Sequence, residues 1–208
     1  MDRRPRTGVG GAAPCVLRSG SRLPVVGVMV LDSADLWNDQ SGLLYDVVSH
    51  ELGHVLGFGA LWRLHGLVAS GNEGDTYNGE FGRTAFHGLV ANAPAFFRAG
   101  VPIDNSGLPG THQAHWAEAV GTGFDLELMT SFASATNVLS AISIASLRDL
   151  GYLTTDIAAE SFEFPPFSPS AWLRAPPRPR RERTPSVRSV MVDDRGRVIA
   201  WPRSSGAR

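Results

Sequence analysis

The sequence predicts a single α+β domain, and three observations carry that expectation. A nine-residue run, Leu23–Leu31, is rich in β-branched residues and reads as a strand. Two well-separated segments, about Ser41–Phe58 and Leu139–Leu150, have helical spacing of apolar residues bounded by cap and stop signals. The length of 208 residues, with 43% hydrophobic and 19% charged residues and a net charge of -1, suits one domain large enough to bury a core. Even the Leu23–Leu31 run is stopped by Asp32, well short of the roughly 18 to 20 apolar residues that a membrane helix needs, so no transmembrane segment is expected. The one cysteine, Cys15, excludes an internal disulfide and a four-cysteine zinc site, so a metal would rest mainly on His and carboxylate. All 19 basic residues are Arg, which removes lysine Schiff-base chemistry.

Taken in order, residues 1–22 read as an irregular segment, because Arg3, Arg4 and Arg6 precede Gly8, Gly10, Gly11 and Pro14. Arg18 and Arg22 interrupt any apolar stretch of the kind a secretory signal requires. Residues 23–155 read as the folded domain. Within it a helix over about Arg83–Phe97 presents Phe86, Leu89, Val90, Phe96 and Phe97, with Pro94 as a kink. The helix over Leu139–Leu150 has Asn137 or Ser140 as cap and Gly151 as stop. Residues 156–208 read as a Pro/Arg-rich, disordered tail. From Ala171 onward it carries ten Arg and three acids, net +7, against nine Arg and seventeen acids, net -8, in the rest. No aromatic interleaving accompanies this charge, so nucleic-acid binding is not expected. Val190–Val192 and Val198–Ala200, flanking an Asp-Asp-Arg-Gly turn, read as an isolated, marginal hairpin.

The helix over Ser41–Phe58 carries the chemistry. With Leu44 at zero and about 100° per residue, Val47, Val48, Leu52, Val55 and Leu56 form one apolar arc. His50 and His54 fall along one border of the arc, and Glu51 falls inside it. A buried, ionised carboxylate without a partner costs several kcal/mol. No Arg occurs from Leu23 to Trp62, so a metal ion is the natural cation. His50-Glu51-Leu52-Gly53-His54 is the H-E-x-x-H pattern of zinc peptidases. Residues four apart share a helix face, so two imidazoles converge on one ion while the Glu beside them serves as a base. Zinc lowers the pKa of a water towards about 7, and Glu51 takes its proton as the water attacks a peptide carbonyl.

A third ligand is required. In the compact pattern a His follows three residues after the Gly that ends the helix, but three residues after Gly57 stands Ala60. His65 lies in what looks like a packing segment, and His87 reads as a structural residue of its helix. His112 and His115 remain, and spacing alone leaves both open. Glu118, Asp125 and Glu127 read as solvated acids, with orientation of a ligand His or binding of a cation as their alternatives.

Four segments in order then carry a resemblance: His50 to Gly59, His115-Trp116 after a long insertion, Glu127-Leu128-Met129-Thr130, and Ile144 to Tyr152. Together with Gly27 to Leu36 upstream, they resemble bacterial members of the leishmanolysin (major surface protease) family of metzincin zinc metallopeptidases. The resemblance implies a metzincin-like zincin domain with zinc helix, Gly-rich insertion, Met-turn and C-terminal helix. It implies one catalytic Zn2+ held by His50, His54 and His115, with Glu51 as general base and Met129 as a structural Met-turn beneath the metal. It implies a protein or peptide substrate and a secreted or cell-surface location. It makes Cys15 a distant candidate for a zinc-occupying propeptide cysteine, although a lone cysteine is ordinarily inert. Nine glycines in Gly66 to Gly110 give the insertion the turns needed to deliver His115. Such domains place a larger sheet before the zinc helix than 49 residues are expected to supply. The upper sheet is therefore expected to be largely missing and the chain N-terminally truncated, either as a weakly active enzyme or as a zinc-stabilised binding module. An interaction protein acting through the Arg-rich tail is the remaining alternative.

Overall fold

The computed structural model describes residues 10–32, 43–71, 74–90, 100–105, 112–117, 124–132, 134, 136–164 and 190–200. Its elements are β1 (Gly10–Arg18), β2 (Pro24–Leu31), α1 (Leu43–Val55), β3 (Val68–Ala69), β4 (Thr76–Tyr77), α2 (Glu80–Leu89), β5 (Val101–Pro102), α3 (Ala141–Leu150), β6 (Val190–Val192) and β7 (Val198–Ala200). A short 3-10 turn covers Asp156–Ala158. The architecture is mixed α+β. One sheet has the order β2-β1-β6-β7 and a second, smaller one the order β3-β4-β5.

β1 corrects the expectation of an irregular chain up to residue 22. Its glycines and alanines look like loop composition, but they are small because a helix lies against them. Ala12 is buried, and a Cβ on Gly10 would sit 2.6 Å from Glu51 Oε1 of α1. A Cβ on Gly27 of β2 would lie 2.6 Å from Val55 Cγ1 of the same helix. β1 and β2 pair antiparallel from Gly10↔Leu31 to Leu17↔Pro24, and the register shifts around Cys15, just after Pro14. A proline has no N–H to give to a ladder, so a site beside a bulge tolerates it.

The chain after residue 155 is also more ordered than its composition suggests. Phe162 is buried and, with Phe164, packs against Phe124 and Phe86. The hairpin β6-β7 is not isolated. β6 pairs in parallel with β1 through Val16↔Val190, Leu17↔Met191 and Arg18↔Val192, covering an edge that would otherwise expose unpaired amides. Residues 165–189 and 201–208, which hold most of the Arg and Pro of the tail, lie outside the described residues.

α1 buries a different face from the one its apolar arc suggests. Val47, Glu51 and His54 are buried, whereas Leu52 is 49% exposed and Leu56 39% exposed. The helix has turned its polar border inward, which already marks that border as the functional face. α2 starts at Glu80, before the expected Arg83, and residues 91–99, including Pro94, Phe96 and Phe97, lie outside the described residues. α3 matches its cap signals: Ser140 is the N-cap, its side chain accepting from the Ser143 N–H, and Gly151 closes the helix at φ 110°.

The Gly-rich insertion supplies β3, β4, α2 and β5, and it is fastened to α3 by Asp149. That carboxylate accepts from Tyr77 Oη (2.7 Å), Phe81 N (2.9 Å) and Gly82 N (2.9 Å), so it satisfies the first turn of α2 and a buried phenol together. Replacing Asp149 by Ala leaves Tyr77 Oη and two amides without this acceptor. We expect Asp149→Ala to lower the unfolding free energy by about 2 to 3 kcal/mol in urea titrations, against roughly zero for exposed Asp156→Ala. Equal midpoints for the two variants would contradict this role.

Candidate metal centre

α1 places His50 and His54 one turn apart on the face it buries. His54 is followed by a tight descent: Gly57 has φ 104° and Gly59 φ 67°, values that favour glycine. The second of these has a further reason to be glycine. A Cβ on Gly59 would stand 2.0 Å from the carbonyl oxygen of Ala114, so the turn after the helix lies directly against the backbone that carries His115. From the other side, Asp104 N donates to His115 O (2.9 Å), Gln113 N donates to Asp104 O (2.6 Å) and Trp116 N donates to Met129 O (3.1 Å).

The outcome is a cluster of three imidazoles whose Nε2 or Nδ1 atoms lie within 4.8 Å of one another: His50, His54 and His115. His54 Nε2 is 3.0 Å from both His50 Nε2 and His115 Nε2. Tetrahedral Zn–N bonds of about 2.0 to 2.1 Å would set these nitrogens roughly 3.3 Å apart, so only a small adjustment separates the cluster from a metal site. His54 and His115 are buried, and His50 is half-buried, which leaves the cluster open on the His50 side. Among the described residues it is the one such group of His, Cys, Asp and Glu.

The second ring nitrogens explain why the cluster suits a cation. His50 Nδ1 is 2.6 Å from Leu128 O, and His54 Nδ1 is 3.0 Å from Phe58 O. A carbonyl oxygen accepts only, so each Nδ1 carries the proton and each Nε2 turns a lone pair inward. Lone pairs 3.0 Å apart repel, and a cation between them reverses the sign of that interaction. Donating Nδ1–H to a carbonyl is the usual way a ligand His is held in orientation. The donor set therefore fits a divalent metal such as zinc.

Glu51 is 1% exposed, with its carboxylate against Gly10 of β1. Met129 fills the space beside the helix, where a Cβ on Gly53 would lie 2.7 Å from Met129 Cε. Behind it stands an aromatic wall of Phe58, Trp62, Tyr77 and Trp116, with adjacent centroids 4.6 to 5.3 Å apart.

The remaining candidates fall outside the cluster. His112 is exposed. His65 is half-buried and bonds to the Arg22 backbone, and burial lowers its pKa. His87 is on α2 beside Phe86. Cys15 is half-buried on β1, and its closest polar partner is Ala13 O at 3.9 Å. Asp125 is exposed and Glu118 lies outside the described residues. Glu127 departs from the expectation of a solvated acid, since it is completely buried. Its burial was hidden in the sequence because its partners, Ser140 and Ser143, are cap and helix serines with an ordinary local explanation.

The approach of Gly59 to Ala114 gives a direct test. Gly66 also has a positive φ, 70°, but has nothing near its missing side chain. Gly66→Ala should cost about 1 to 3 kcal/mol from backbone strain alone. Gly59→Ala should cost clearly more in the same denaturation experiment, and equal costs would mean that the two backbones are not in contact.

A search of curated proteins finds no match to the chain. Residues 6–165 match the peptidase family model described as leishmanolysin, a span that contains all three clustered histidines, Glu51 and Met129. That span is well over half of the 208 residues, and the chain belongs to the leishmanolysin family of zinc metallopeptidases.

Proposed function

We propose that the chain is a zinc-dependent endopeptidase of the metzincin type, in which His50, His54 and His115 hold one zinc ion and Glu51 is the general base. The observation that carries this reading is the convergence of the three imidazoles beside a buried glutamate one residue after the first of them. A zinc ion held there would polarise a peptide carbonyl and lower the pKa of a water towards about 7.

The chain's own groups supply the rest. His50 and His54 are kept in one tautomer and one orientation by the Leu128 and Phe58 carbonyls. The Glu51 carboxylate accepts a proton from the attacking water and returns it to the departing amide nitrogen, so that one water is consumed and one C–N bond broken. Packing against Gly10 limits the positions available to that carboxylate, which is how a base is kept aimed at one proton. Met129 acts as the Met-turn, an apolar floor packed on Gly53 between the two helix histidines. The substrate is a protein or peptide that enters from the half-buried His50 side.

The test measures zinc content together with chelator-sensitive cleavage of an unfolded protein. We expect about one zinc per chain, loss of cleavage on chelation, and a fall in kcat of at least about 10²-fold in Glu51→Gln with zinc retained. Undiminished cleavage by Glu51→Gln would remove Glu51 from the role. Bound zinc with no turnover in the unaltered chain would support instead a zinc-stabilised binding module.

A further inference from the structure

We infer that Glu127 is a positioning residue for the metal site, holding the turn from Glu127 to Thr130 so that it orients His50 and His115 together. This deepens the proposed function and rests on its reading of those histidines as zinc ligands.

Glu127 is wholly buried, and its carboxylate collects four donors. Oε2 accepts from Met129 N (2.5 Å). Oε1 accepts from Ser140 N (3.2 Å), Ser140 Oγ (2.7 Å) and Ser143 Oγ (2.5 Å). The proton directions are set by the neighbours. Trp116 Nε1 can only donate, and it lies 2.9 Å from Ser143 Oγ, so Ser143 spends its one proton on Glu127. Ser143 N donates to Ser140 Oγ, which leaves the Ser140 proton for Glu127 as well. Burial raises the carboxyl pKa, and these donors oppose the rise.

A helix cap does not require this arrangement. Ser140 already caps α3 with its own side chain, and a buried carboxylate is an expensive means of fixing a turn if nothing depends on the turn. Two things do depend on it. The carbonyl of Leu128, the next residue, receives Nδ1–H of His50 at 2.6 Å. The carbonyl of Met129, the residue after that, receives the N–H of Trp116 at 3.1 Å, immediately after His115. The Trp116 indole is tied to the same carboxylate through Ser143. One side chain thus holds both the acceptor that orients the first histidine and the segment that carries the third, from sequence positions far apart.

Glu127→Gln keeps the shape of the side chain but sets an N–H2 group against either the Met129 amide or the serine donors, so one set of bonds must be lost. In the full chain, zinc affinity is measured by competition with a chromophoric chelator, the Co2+ absorption spectrum reports ligand geometry, and circular dichroism reports the fold. We expect Glu127→Gln to stay folded, to bind zinc about 10-fold or more weakly, and to shift the Co2+ bands. Ser143→Ala, which removes one of the four donors, should weaken zinc binding about 3-fold. Ser146→Ala is the control, because its hydroxyl donates to the Ser143 carbonyl and does not touch Glu127; both readouts should stay at their unaltered values. Unaltered affinity and spectrum in folded Glu127→Gln, or in Ser143→Ala if the first variant does not fold, overturn the inference. An unaltered chain that takes up no zinc overturns the metal reading and this inference with it, a result distinct from loss of affinity in the variants alone.

Discussion

Three imidazole nitrogens turned towards one another are the constraint around which the rest of this chain is arranged. Two of the three have their outer nitrogens committed to carbonyl oxygens, so their inner lone pairs have no neutral means of avoiding each other at 3.0 Å. A cation shared by these nitrogens would turn the contact between His50 and His54 from repulsive to attractive and, through His115, would crosslink α1 to the segment that follows the insertion. Metal binding to such a site is coupled to folding, because the histidines come from positions more than sixty residues apart that an unfolded chain does not hold together.

The surrounding composition follows from bringing these segments close. Gly10 gives the Glu51 carboxylate its place, Gly27 admits Val55, Gly53 admits Met129 and Gly59 admits the Ala114 carbonyl. Each is a point where a strand, a turn or a side chain meets α1 or its exit more closely than a Cβ permits. The same closeness accounts for the sheet. β1 lies under α1, paired from Gly10 to Leu17 with β2 on one side and, at its Val16–Arg18 end, with β6 on the other. Aromatic packing of Phe58, Trp62 and Trp116 backs the other side, and it places the ring of Phe58 6.1 Å from that of His54.

The parts of this organisation that are local in sequence were legible there. α1 shows its His-Glu-x-x-His spacing, and α3 shows its Ser140 cap and Gly151 stop, because each depends on residues within one or two turns. The resemblance to leishmanolysins pointed to His115 where spacing left His112 open, and the structure brings His115 to the cluster. What composition concealed was long-range. β1 has the glycines and proline of a loop and becomes a strand through its pairing with β2 and with β6, some 170 residues away in sequence. Glu127 has the look of a surface acid and is buried by serines from a helix that begins fourteen residues later. The buried face of α1 is hidden in the sequence for a related reason: hydropathy points Leu52 and Leu56 inward, whereas the border that carries Glu51 and His54 is the one the fold encloses.

We propose that His50, His54 and His115 share one zinc ion. X-ray absorption at the zinc edge on the full chain, loaded with one equivalent, tests it most directly. Three imidazole nitrogens at about 2.0 to 2.1 Å, together with oxygen, are expected around the zinc. A shell containing sulfur, or fewer than three imidazoles, or a chain that retains no zinc, would contradict it.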